Sequence, residues 1–338
     1  MSDSTAEKEG FDKPVWNHHP ELPVAHAPLF DWPPKPVSLL RWYAKSWISL
    51  STSSCLVLLA LTMWFWMQAP IARYQVFELS WLLENHICNL CLMILVAGGL
   101  HLYFYTFNKQ GSNLKFDPRE SDRNHERFTF NNQVLDNVFW TLVSGVTFWT
   151  AYEAAMLWAY ANDTMPLLNW GDSPVWFVLL FPLLAMWHEL HFYFVHRLLH
   201  WPPLYRIAHA VHHRNSDTGP WSGISMHPYE HFIYFTSLLI HLVLPTHPLH
   251  LLFHLYWVAL APAVSHSGYA GVLVKRQNRF ATGSFFHQLH HRYFECNYAT
   301  SSVPVDVWAG SFHDGTPQGD AYIRERRKRK RRSATESE

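Results

Sequence analysis

An all-α integral membrane bundle is the fold class the sequence predicts, and three observations predict it. The chain of 338 residues is 16% aromatic, with 17 tryptophans, and only 15% of it is charged, which is sparse for a water-soluble enzyme. Apolar stretches of about 20 residues recur along it, each long enough to cross hydrocarbon as a helix. Histidines crowd the polar ends of the later stretches: 17 of the 24 fall between His188 and His291. The expectation is four to six transmembrane helices with a histidine-rich cap on one side. The competing reading makes the same runs buried helices of a soluble bundle, which the aromatic-rich ends disfavour.

Residues 1–46 are rich in proline, histidine and charge, have no cleavable leader pattern, and read as a mobile or surface-lying arm. Residues 47–135 hold a first transmembrane hairpin and a basic loop. Its first span is Trp47–Met67, with tryptophans near both ends as the interfacial belt favours. The second runs from about Ile87 to Phe107, where Gly98 and Gly99 would let another helix come close. Cys88 and Cys91 form a C-x-x-C inside that run, where a zinc knuckle or redox pair is out of place, so they read as membrane-facing thiols. Residues 136–315 form the largest unit. A third span covers about Val138–Ala161, and a fourth starts near Val175 and runs into the first histidine cluster. Phe232–Val264 makes either one tilted span or a hairpin broken at Pro245 and Pro248. Residues 316–338 are a basic tail.

Basic residues in short loops set the orientation. Lys109, Lys115, Arg119, Arg123 and Arg127 fall in one loop, whereas the 161–174 loop has no lysine or arginine. An even number of crossings then puts the arm, the histidine clusters and the Arg324–Arg332 block on one cytosolic side. On a membrane protein that block reads as an anchor near anionic headgroups rather than a nuclear signal. The Asn162-Asp163-Thr164 sequon falls on the opposite, lumenal side, close to the span end.

The clusters carry the chemistry. His196 and His200 are four apart; His209, His212 and His213 form H-x-x-H-H, and His287, His290 and His291 repeat it. Helical residues three or four apart share a face, so each cluster is expected to point into one pocket. Neutral imidazole is the commonest ligand for borderline transition metals, and eight of them exceed the needs of one ion. A pair of metals is therefore expected. Ligand type alone leaves iron, zinc and copper open.

The three boxes, in that order among membrane spans, resemble the fatty acid hydroxylase and sterol desaturase superfamily. The flanking residues agree with it: Phe192-Tyr-Phe-Val-His-Arg-Leu-Leu-His200, Tyr205, His227-Pro-Tyr-Glu-His231 and His266-Ser-Gly268. The resemblance covers about residues 135–315, and the run Gly219–Pro228 looks like a sterol-desaturase-like branch. The ceramide fatty-acyl hydroxylases typically carry a further histidine four residues after His266, where this chain has Ala270. The resemblance implies a non-haem di-iron centre that uses O2 and two electrons from cytochrome b5 and its reductase, or a similar carrier. It implies the ligands His196, His200, His209, His212, His213, His266, His287, His290 and His291.

It also implies desaturation or hydroxylation of a lipid, with a sterol as leading substrate, at the endoplasmic reticulum membrane and without nucleic acid. A fatty-acyl or ether-lipid hydroxylase of the same superfamily is the second reading. A histidine-rich metal carrier is the non-enzyme alternative, disfavoured because the ligands cluster at helix ends instead of along a mid-bilayer path.

Among the remaining residues, His188-Glu189-Leu190-His191 has its histidines three apart and lacks the H-E-x-x-H zinc spacing. Glu189 and Glu230 are the candidate catalytic carboxylates, with Glu189 read as an orienter accepting an imidazole N–H, or as a cap. His227 reads as a further ligand or as the partner of Glu230, and His231 as structural. His241, His247, His250 and His254 read as interfacial. Trp187, Trp201 and Trp221 are expected either to shape a lipid groove or to sit at the interface.

Overall fold

The computed structural model describes residues 16–300 and 302–335, and it is mostly helical, with 62% helix and 5% strand. Helix α1 (Pro36–Ile48) and helix α2 (Thr52–Met67) meet at a 43° bend, and α3 spans Leu79–Thr106. Ser51 makes that bend: its hydroxyl accepts the Ser54 N–H while the Ser54 hydroxyl accepts the Ser51 N–H, a reciprocal cap that starts α2 afresh. The helical stretch 133–161 is α4, capped by Asn132, whose side chain accepts the N–H groups of Val134 and Leu135. Then follow α5 (Pro174–Leu199) and a helical segment over 202–213, α6. Helix α7 (Pro228–Tyr234) continues as a 3-10 turn to Leu242, and α8 spans Pro248–Ser265. A short antiparallel hairpin pairs Gly271–Val274 with Gln277–Ala281, ahead of α9 (Phe285–Tyr293), α10 (Val305–Trp308) and α11 (Pro317–Thr335).

Among the described residues, three helices are long and apolar enough to cross a membrane: α3, α5 and α8. The bent α1–α2 pair makes a fourth if it is one span. The expected crossing at Val138–Ala161 is helical but falls outside that set, and it carries the buried Asp136 and Glu153 nearby. The stretch 232–264 takes the hairpin form, broken at 243–247, which contains Pro245 and ends where Pro248 starts α8.

Helix α8 is the central post. Its membrane window is 78% buried, against 22% for α3, so protein surrounds α8 while one side of α3 is left for lipid. Pro262 within α8 has no N–H for the carbonyl of Val258, and the Tyr234 hydroxyl donates to that carbonyl at 2.8 Å instead. Gly223 lies against the same turn: a Cβ there would stand 2.4 Å from the Pro262 carbonyl carbon. At the Gly98–Gly99 pair, a Cβ on Gly98 would meet the Trp221 ring at 3.4 Å and one on Gly99 would meet nothing within 4 Å.

The arm is not loose where it is described. Trp16 packs edge-on to Phe285 at 5.0 Å with the Arg292 guanidinium 3.8 Å above its ring, and Leu22 and Val24 join the Phe116–Phe285–Leu289 cluster. All four cysteines are free; Cys91 is exposed on the apolar face of α3 and Cys88 half-buried.

Candidate metal centre

Four elements bring the boxes together. His196 and His200 end α5, α6 carries His209, His212 and His213, His266 caps α8, and α9 carries His287, His290 and His291. Ser284 starts α9 by accepting the His287 N–H at 3.3 Å, which sets the rotation of its three imidazoles. The ring nitrogens gather in two groups, one of His196, His200, His209, His213 and His290, the other of His212, His266, His287 and His291. Within each group the nitrogens lie within 4.8 Å of one another.

The boxes do not each fill one pocket, as the spacing alone suggested. Each H-x-x-H-H is divided. His209 and His213, four apart, face the first group while His212 faces the second; His287 and His291 face the second while His290 faces the first. Residues four apart differ by about 40° around a helix, but the residue between them points some 60° or more away. Two helices flanked by a site on each side therefore feed both.

The hydrogen bonds fix which nitrogen faces inward. The Nδ1–H of His196 donates to the Tyr298 carbonyl at 2.7 Å, that of His290 to Cys296 at 2.6 Å, and that of His266 to Pro262 at 2.9 Å. His209 Nδ1 donates to the Glu230 carboxylate at 2.7 Å. With Nδ1 protonated, each Nε2 offers a lone pair. The Nε2 atoms of both groups converge. His200, His213 and His290 form a triangle of Nε2 atoms 3.0–3.2 Å on a side, and His291 Nε2 is 3.2 Å from those of His266 and His287. The Nε2 atoms of His196 and His209 are buried with no hydrogen-bond partner among the described residues.

Lone pairs facing each other repel unless a cation lies among them. Ligands about 2.1 Å from one ion stand about 3.0–3.4 Å apart, the separation seen here. Burial also suits the neutral, ligating form. It holds His209 and His212 down to about 3 and His266 to about 4. Burial, followed by the neighbouring imidazoles, drives His213, His287, His290 and His291 well below the ordinary range. Five imidazoles in one group exceed the tetrahedral set usual for structural zinc and suit a metal of higher coordination. The residues fit a pair of such ions.

Glu230 is buried, pushed up to about 7 by that burial, and its second oxygen has no hydrogen-bond partner among the described residues. It orients His209, the arrangement by which a carboxylate fixes a ligating imidazole. Glu189 bonds differently: its carboxylate accepts the Val303 N–H at 3.2 Å, tying α5 to the loop after α9. His227 lies outside both groups and accepts the Tyr229 N–H as the cap of α7, so Glu230 pairs with His209 and not with His227. His231 bonds Ser144 at 2.9 Å and the Ile224 carbonyl at 3.0 Å, a structural part. Ala270 packs with the Phe116–Phe285–Leu289 cluster.

A cavity of about 240 Å³ opens beside the second group, walled by its His212, His266 and His287. Apolar Phe192, Met226, Tyr234, Trp257 and Ala261 form one part of its wall, and His188, Glu189, Ser284 and Ser302 give it polar points. Trp257 is the tryptophan that lines it. Trp201 is exposed, Trp187 donates to the Ser237 carbonyl, and Trp221 packs on Gly98. No pattern of residues marks Trp257, Thr52 from α2, or the Cys296 and Tyr298 carbonyls that lock two imidazoles. Such backbone acceptors carry no residue signature.

Residues 181–311 match the fatty acid hydroxylase family. The chain is 28% identical over 146 residues to a Delta(7)-sterol 5(6)-desaturase of Gibberella zeae, covering 43% of this chain and 45% of the relative. It is 32% identical over 121 residues to the Delta(7)-sterol 5(6)-desaturase of Saccharomyces cerevisiae, 36% of this chain and 32% of the relative. To the methylsterol monooxygenase of Aspergillus fumigatus it is 33% identical over 130 residues, 36% and 43%. The chain thus spans less than half the length of these relatives. No solved structure matches it. The residues that match the fatty acid hydroxylase family contain all nine clustered histidines, and the relatives are similar to this chain over that same histidine-bearing part.

Proposed function

We propose that the chain is a membrane-bound non-haem di-iron oxidase that desaturates or hydroxylates a lipid, with a sterol as its substrate. The observation that carries this reading is the pairing of two imidazole groups with an apolar cavity walled by the second. His196, His200, His209, His213 and His290 would hold one iron, and His212, His266, His287 and His291 the other. Two irons so held supply the activation of dioxygen and the oxidation of an unactivated C–H bond, with two electrons per turnover from cytochrome b5 or a similar carrier.

The chain's own residues bind, orient and exclude water. Trp257, Phe192, Met226 and Ala261 give the substrate an apolar berth and strip water from it, and the polar points of the wall orient it. Glu230 holds His209 in the tautomer that ligates. The group with four imidazoles, one fewer than its neighbour, is the one facing the cavity, so the ion it would hold would lie on the substrate's side. Six crossings, by α1–α2 as one span, α3, α4, α5, the helical stretch 228–242 and α8, would place the arm, both groups and α11 on the cytosolic face of the endoplasmic reticulum.

The test is lipid profiling of cells with and without the gene, together with the iron content of the purified chain. Accumulation of one sterol precursor on deletion, and about two irons per chain, supports the reading. Labile zinc or copper without dioxygen uptake favours a metal carrier, and an accumulating fatty-acyl or ether-lipid precursor transfers the reading to that class.

A further inference from the structure

His241, His250 and His254, whose place in an apolar hairpin suggested the interface, turn inward, with His241 and His250 beside the 243–247 loop and His254 one turn further along α8. They are fully buried between α5 and α8. His250 is accounted for by the Phe177 carbonyl at 2.8 Å. The other two belong to a chain of contacts that runs through the apolar layer. The Tyr160 hydroxyl meets the Thr246 hydroxyl at 2.5 Å, and the latter meets His241 Nδ1 at 2.8 Å. His241 Nε2 is 3.1 Å from His254 Nδ1, His254 Nε2 is 3.5 Å from the Ser237 hydroxyl, and that hydroxyl is 3.2 Å from His188 Nδ1. With Nδ1 taken by Ser237, His188 Nε2 is left for the cavity that His188 lines.

The two ends of this chain lie in different places. Thr246 sits in the loops where α4 ends and α5 and α8 begin, its backbone paired with Pro166 and Leu168 and exposed Pro245 beside it. His196 and His200 are at the other end of α5, 26 residues long and so about 39 Å. Every member is a hydroxyl or an imidazole, and each can accept a proton on one atom and release one from another, or from the same oxygen. A purely apolar layer would have served packing better, since burying six polar side chains costs free energy that their mutual bonds only offset.

We propose that Tyr160, Thr246, His241, His254, Ser237 and His188 form a proton relay from the membrane face opposite the histidine groups into the substrate cavity. The proposal rests on the oxidase reading, which requires protons. Hydroxylation follows R–H + O2 + 2 e⁻ + 2 H⁺ → R–OH + H2O. Desaturation takes the same oxidant, electrons and protons, removes two hydrogens from adjacent carbons and releases two waters. Dioxygen is the oxidant and a one-electron protein carrier the reductant. Each imidazole accepts a proton on the nitrogen facing Thr246 and releases one from the nitrogen facing the cavity, then returns to its starting tautomer by ring rotation. His188 Nε2 delivers the proton to the cavity.

The test uses the full chain in vesicles with a trapped pH indicator, oriented so that the Tyr160 end faces the lumen, with reduced carrier and substrate added outside. Wild type should alkalinise the lumen in step with product. His254→Gln, which keeps hydrogen-bonding groups but cannot relay, should abolish that alkalinisation and lower kcat about tenfold or more. Its iron content and KM should be unchanged and its solvent deuterium isotope effect raised. Ser237→Ala is the second variant should His254→Gln fail to fold, and it should behave likewise. Unaltered alkalinisation in a folded variant overturns the relay, as does a loss of kcat accompanied by lost iron or raised KM, which marks a structural part. Wild type that binds iron but oxidises no lipid overturns the oxidase reading instead, which separates the two failures.

Discussion

Glu230 accepts the Nδ1–H of His209 at 2.7 Å, with both side chains buried, so one carboxylate sets the tautomer of a histidine in the first imidazole group. Removing such a partner typically costs 10–100-fold in metal affinity or activity. Glu230→Gln should therefore lower the iron retained after dialysis against a chelator, and turnover with it, by about that factor. Wild-type retention in the variant would remove Glu230 from the centre.

The division of the boxes gives a sharper expectation. His290→Ala takes one of five imidazoles from the first group, and His212→Ala one of four from the second. Both variants should insert in the membrane and lose turnover. His212→Ala should lose more metal, because its group has no imidazole to spare. Iron per chain and product formation measure this, and retained activity in both variants counts against the ligand set.

Trp257 stands in the cavity wall and takes no part in either group. Trp257→Ala should raise KM for the lipid several-fold while leaving iron content at the wild-type value. Loss of iron would show that the cavity and the centre are not separable in this way.

Asp217 is buried beside Lys115 and Arg119, and burial pushes its carboxyl up to about 7 from an ordinary value near 4. The folded chain then holds a proton that the unfolded chain has released, so stability is full below about pH 4 and falls as pH rises to about 7. Asp217→Asn should leave the melting temperature in detergent unchanged at pH 4 and raise it at pH 8, by an amount worth on the order of a few kcal/mol. An equal shift at both pH values would contradict the buried neutral carboxyl.

Gly223 has no room for a side chain, because an added Cβ would meet the Pro262 carbonyl at 2.4–2.6 Å, both of them backbone atoms. Gly223→Ala should destabilise the fold by about 1–3 kcal/mol, read as a lower melting temperature. Because Pro262 also anchors His266, iron content should fall with it.

By itself the sequence determined that the chain is helical and apolar enough for a membrane, that its histidines cluster, and which superfamily those clusters resemble. These properties are local: hydropathy over about 20 residues and spacing over three or four are read along one strand of text. Tertiary structure alone decided the rest. It split each H-x-x-H-H between two groups, because a helix has two flanks and only its neighbours say which flank meets what. It gave Glu230 to His209 instead of His227, across 21 residues of chain. It also buried His241 and His254 in the apolar layer, since hydropathy states how greasy a segment is and not which side its polar residues face.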